Sequence, residues 1–156
     1  MLDFEQVKAK ISTLISEAGR KLKQYTPEKF SKEKKFINAL VGSLALMTMA
    51  DKKAETEEVI ASIDLIKEID EITELDMTQD ALELYEYHIE ALSAAISTPT
   101  KWLVAEARML SEIGKIKAYP EYPPMVEALI EHIANSDGNV DPLEVAMQEK
   151  ILKAIQ

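Results

Sequence analysis

Cysteine is absent from this chain, and histidine is nearly so, with His88 and His132 alone. Without cysteine there is no disulfide, no thiolate zinc site and no thiol nucleophile, nor any hint of an oxidising compartment. Neither histidine has a glutamate three residues before it, which excludes the Glu-x-x-His pairs of di-iron helical bundles. His88 reads as a structural residue on a mixed helix face. His132, five residues before Asp137, lies within reach of an acidic turn. Four glycines and six prolines are too few for disorder or a collagen-like repeat. The phosphate-loop, dinucleotide, nucleophile-elbow and zincin motifs are all missing, so nothing leads one to expect an enzyme. No apolar run approaches the roughly 18 residues of a membrane span. The acidic start, with Asp3 and Glu5, does not resemble a signal peptide. A soluble cytoplasmic protein is expected.

What is present is apolar periodicity and acid. The chain has 156 residues, 47% of them hydrophobic. That length suits one domain over residues 1–156, burying roughly 68–70% of its unfolded surface. The net charge is −10, unevenly placed. Residues 1–35 hold nine Lys/Arg against five Asp/Glu, while residues 36–156 hold nine against twenty-three. So acidic a body repels nucleic acid, whose binding requires phosphate neutralisation. The basic start is compatible with a solvated face, with a phosphate- or membrane-facing patch, or with docking onto the acidic body.

Apolar residues recur at three- and four-residue steps throughout, without strand-like alternation. Leu2, Phe4, Val7, Ile11, Leu14, Ile15, Ala18 and Leu22 predict a first amphipathic helix, stopped near Pro27. A second runs from near Glu28 to Ala50 and is apolar nearly all round from Phe36, which predicts a buried central helix. Gly42 inside it suggests a close helix–helix approach. A third spans about Glu55–Ile69, followed by an acidic connection, Asp70–Met77. Thr78 is placed to cap a fourth helix carrying Leu82, Tyr85, Ile89, Leu92 and Ile96 inward. Thr98-Pro99 opens a fifth that carries Trp102, Leu103, Leu110 and Ile113 and ends near Lys117. After a proline-rich connector come a sixth helix holding Met125, Val126, Leu129, Ile130 and Ile133 and a seventh from Asp141 with Val145, Met147, Ile151, Leu152 and Ile155. The seven methionines read as core filler. The fold class expected is all-α, a compact bundle of about seven helices.

The sharpest local signal is Asn135–Glu144, a helix end, a turn and a helix start. Gly138 suits the left-handed position past a helix end, Asp141 an N-cap, Pro142 the first helical position, and Glu144 a capping box. A weaker copy lies 86 positions earlier, where Asp51 matches Asp137, Glu55 matches Asp141 and Glu58 matches Glu144. Apolar positions match too, Leu44 with Ile130 and Met47 with Ile133 among them, which suggests an internal helix–acidic turn–helix duplication. Two readings of these acids stand open. Capping accounts for Asp141 and Glu144, but not for Asp137, which faces the negative end of a helix dipole. Hard divalent cations, Ca²⁺ or Mg²⁺, take such oxygen ligands. An EF-hand is excluded, because its loop needs twelve residues and a different glycine position. Lys52-Lys53 replaces Gly-Asn in the first copy, so an ammonium is available there to neutralise Asp51, and a left-handed lysine would be strained.

These same residues carry a resemblance. Lys34–Leu40 (K-K-F-I-N-A-L), Met49–Asp51 with Glu57 and Glu58, Ser136–Asp141 with Glu144, and the F-E-Q-V-K start at Phe4–Lys8 resemble the tellurite-resistance TerB family. The resemblance implies a compact seven-helix fold and a non-catalytic role in a bacterial or phage stress-response system linked to tellurite, phage and toxin resistance. It also implies a divalent-metal or partner site at Asp51, Glu58, Asp137, Asp141 and Glu144. Protein partners of a stress-response complex are expected, with no nucleic acid, and with peripheral contact to the inner membrane as one mode of docking. The alternative is a metal-free adaptor that docks a membrane-associated or chaperone complex through its acidic face or basic first helix. Without cysteine, chemistry on tellurite itself is not expected.

Overall fold

A computed structural model describes residues 27–53, 55–135 and 141–156. The expected first helix and the turn holding Asp137, Gly138 and Asn139 lie outside them. Seven α-helices and no strand occur among the described residues. The fold is organised around α1 (Lys32–Thr48), which follows a 3₁₀ turn at Pro27–Lys29. Ser31 caps α1 by accepting the Lys34 N–H at 3.1 Å. That cap is why the helix begins at Lys32 and not near Glu28. From Phe36 to Thr48 every residue of α1 is buried, as its all-round apolar character predicts.

Five helices surround it: α2 (Thr56–Glu68), α4 (Thr78–Ala95), α5 (Pro99–Gly114), α6 (Pro123–Asn135) and α7 (Pro142–Ile155) all pack on α1. Thr98 caps α5 by accepting the Lys101 N–H at 3.1 Å, with Pro99 at the first position, as the sequence predicts. A 3₁₀ turn at Lys115–Ala118 finishes that element. The Tyr119–Tyr122 connector is held against the start of α1. Tyr122 stacks on Phe36 with ring centroids 4.2 Å apart, and Lys32 pairs with Glu121 at 2.7 Å. No helix among the described residues is long and apolar enough to cross a membrane.

The structure corrects the sequence reading in several places. The acidic stretch Asp70–Glu74 is a short helix, α3, pinned by Ile72, which is fully buried. One apolar residue among acids is too weak a periodic signal to predict it. Thr78 is the first helical residue of α4, and Met77 holds the cap position without a side-chain bond. Leu103 is 64% exposed, and Ile96 and Val145 are each 37% exposed, so none is core. Leu103 and Val145 lie off the buried stripes of their helices, and Ile96 is the C-cap just past the end of α4. At Gly42 an added Cβ would meet Ile113 and His88 at 3.7–3.8 Å, ordinary contact, so no glycine is required there. The close approach is at Gly114, where a Cβ would stand 2.9 Å from the Ala154 carbonyl oxygen of α7. The expected duplication is not established, because the two corners cap their second helices differently and residues 136–140 lie outside the described set.

Candidate metal centre and acidic cleft

The first acidic corner is the turn between α1 and α2. Past the end of α1 the chain bends through Lys52, whose φ of 63° is left-handed, the position at which Gly138 stands in the 86-residue frame. The turn therefore keeps a glycine-like shape in spite of its lysine. Left-handed backbone costs an ordinary residue roughly 1–2 kcal/mol. Part of that cost is offset where the Lys52 ammonium lies 5.6 Å over the Trp102 ring on α5. The ammonium is thus turned onto an aromatic face instead of neutralising Asp51. Asp51 accepts the Lys53 backbone N–H at 3.0 Å, which tightens the turn.

Glu55 occupies the N-cap position of α2 but makes no side-chain cap bond. At the matching position Asp141 does cap α7, accepting the Leu143 N–H at 2.8 Å. The difference is one methylene: an aspartate oxygen folds back onto the second helical N–H, whereas glutamate overshoots it. Glu55 is thereby released to join Asp51 and Glu58, and one oxygen from each lies within 4.8 Å of the others. All three are half-buried. Burial above all pushes the Glu58 carboxyl up to about 8, and the negative charges of Glu55, Asp51 and Glu144 add to this. A hydrogen bond between the Glu58 and Glu55 carboxyls works in the same direction. Near neutral pH the cluster therefore holds a proton on Glu58. A cation in its place would satisfy all three carboxylates at once.

The cluster opens onto a cleft of about 500 Å³ between α2, the last turn of α6 and the first turn of α7, floored by α1. Leu44, Met47 and Leu65 form its apolar surface, and Thr48 and Ser62 contribute hydroxyls. Glu57, Asp64, Glu68 and Glu144 stand around it, with His132 and Ile133 opposite α2. Beneath the floor the Thr48 hydroxyl donates to the Leu44 carbonyl oxygen at 2.9 Å. It also lies 3.2 Å from Ser62 Oγ and 3.3 Å from the Tyr85 hydroxyl. Ser62 donates to the Glu58 carbonyl oxygen at 2.9 Å, so this buried hydroxyl group fixes the first turn of α2 to α1 and α4. Burial in that group pushes the Tyr85 phenol up to about 12.

The five residues expected to hold a metal are therefore distributed unevenly. Asp51 and Glu58 lie in the cluster, Glu144 borders the same cleft and its charge acts on Glu58, and Asp137 lies outside the described residues. Asp141 is a helix cap. Glu55 was missed as a ligand, although residues 51, 55 and 58 have the four- and three-residue steps of one helix face. His88 is far more buried than a mixed face implies, at 2% exposed, and its Nε2 lies 2.7 Å from Asn38 Oδ1. Burial, with help from Arg108, pulls its pKa down to about 3, so the ring is neutral and donates to Asn38.

Models of known protein families, curated proteins and solved structures were each compared with the chain, and none matches. The resemblance to the tellurite-resistance family therefore rests on the residues that carry it.

Proposed function

We propose that this protein is a non-catalytic, TerB-like helical module that holds a divalent cation, Ca²⁺ or Mg²⁺, at Asp51, Glu55 and Glu58. In this reading it serves a stress-response complex as an interaction domain. The observation behind the cation is the convergence of three half-buried carboxylates within 4.8 Å of one another, with the Lys52 ammonium beside them turned onto the Trp102 ring. Hard oxygen ligands of this kind suit Ca²⁺ and Mg²⁺, with water completing the shell. Glu144, across the cleft, joins the cation's field and couples the cluster to α7. The observation behind the interaction role is the adjoining cleft, whose apolar floor and acidic rim suit a protein segment better than a small anion or nucleic acid.

Thermal unfolding of chelator-treated protein, with and without millimolar Ca²⁺, Mg²⁺, Mn²⁺ or Zn²⁺, tests the cation. An ion bound only by the native state at 100 times its dissociation constant adds about 2.7 kcal/mol. A rise in Tm with Ca²⁺ or Mg²⁺ that Glu55→Gln abolishes is expected. No shift with any ion would leave the metal-free adaptor as the reading of the cleft.

A further inference from the structure

The α2 rim of the cleft is a single row of side chains. Glu57, Ala61, Asp64 and Glu68 follow one another at steps of four, three and four residues, which puts them on one helix face over about 16 Å. All four are exposed, and none of the three acids is in an ion pair among the described residues. No lysine or arginine among the described residues lines the cleft, and Glu58 and Glu144 add to its acid. Lys67, the cation of α2, lies about 100° round the helix from Glu68 and outside the cleft. Repulsion along the row is therefore left standing, and cations at matching steps would relieve it. Ala61, small and between Glu57 and Asp64, leaves a notch where another backbone can come close.

Below the row the surface turns apolar, with Leu44 and Met47 of α1, Leu65 of α2 and Ile133 of α6. A metal ion engages only the Asp51–Glu55–Glu58 end of this concavity. An occupant of the whole of it must be apolar on one side and cationic along the edge that meets α2. An extended segment would lay unpaired backbone N–H and C=O groups on the apolar floor, and no strand edge exists among the described residues to receive them. A helix bonds its own backbone groups and offers both faces at once.

We propose that the cleft receives an amphipathic helix of a partner protein, about three turns long. Its apolar stripe lies on the floor. Lysines or arginines on one edge, at steps of seven and four residues, face Glu57, Asp64 and Glu68. The inference rests on the cleft being an interaction surface and is independent of a bound cation, so its test is made in chelator.

The probe is a synthetic three-turn helix with a leucine stripe and lysines at those steps, titrated calorimetrically into the full chain. Saturable one-to-one binding that weakens as salt rises is expected. Glu57→Lys with Asp64→Lys and Glu68→Lys should weaken it at least about tenfold, because three attractive surface pairs become repulsive. Ala61→Arg, at an exposed position of the same row, should block binding without disturbing the core. A charge-matched triple variant away from the cleft, Glu71→Lys with Glu127→Lys and Glu149→Lys, should change the affinity less than about twofold. An equal loss in that control would reduce the binding to general charge attraction and overturn the proposal. Equal binding of a peptide with glutamates in place of the lysines would overturn it too, while leaving the cleft an interaction surface. Binding of neither peptide would overturn both. A change of oligomeric state in the rim-reversed protein without peptide would assign the cleft to a second copy, against the proposal.

Discussion

At the scale of single residues, two positions decide the corner. Lys52 is left-handed where glycine would be free of strain. Lys52→Gly is therefore expected to be more stable than Lys52→Ala by about 1 kcal/mol, since both lose the contact with Trp102 and only alanine keeps the strain. Equal denaturation midpoints for the two variants would show that the turn relaxes without cost. Glu58 is the second. Its carboxyl, pushed up to about 8 by burial and its acidic neighbours, is protonated near neutral pH. Cation binding at pH 7 should then release close to one proton per ion, read by calorimetry in buffers of differing ionisation enthalpy. A proton count of zero would mean that the ion binds elsewhere.

At the scale of elements, glycine separates two kinds of helix contact. Gly114→Ala forces a methyl to within 2.9 Å of the Ala154 carbonyl oxygen, so α5 and α7 must move apart. A loss of about 1–3 kcal/mol is expected in equilibrium denaturation. Gly42→Ala meets only ordinary contacts at 3.7–3.8 Å and should gain up to about 1 kcal/mol from helix propensity. The reverse order would mean that α1 is the more tightly packed helix. Elements were also where local reading served best. Thr98 and Asp141 each cap a helix through a bond spanning two or three residues, as their sequence positions predict, whereas the equally local Ser31 cap was passed over for a start near Glu28. Such bonds are short-range, so they are visible in sequence. α3 was not visible, because its single buried residue, Ile72, makes no periodic pattern and is buried only once α3 packs against α2 and α4.

For the whole molecule, Glu58 and His88 set opposed pH dependences. Below about 4.5 Glu58 is protonated in folded and unfolded chains alike, and its contribution to stability is fully present. As pH rises from about 4.5 through about 8 the unfolded chain releases that proton first, and the contribution is lost. His88 acts the other way. Its folded pKa lies near 3 against 6.5 unfolded, so its contribution is present above 6.5 and lost as pH falls toward 3. Metal-free protein should therefore lose Tm between about pH 6.5 and 8.5, and Glu58→Gln should lose less over that range. Identical slopes for the two proteins would show that Glu58 titrates normally in the fold.

The sequence by itself determined the helical class, the buried central helix, most helix boundaries and the presence of acid at two turns. These depend on periodicity and capping, whose partners lie within about one turn of each other. Only the tertiary structure decided which acids meet. It took Glu55 into the cluster and Asp141 out of it, turned Lys52 onto Trp102 of α5, and placed Glu144 of α7 in the electrostatic field of Glu58. It also made His88 a buried neutral partner of Asn38, fifty residues away. Desolvation and charge coupling depend on which surfaces are pressed together, and no spacing within a single helix encodes that.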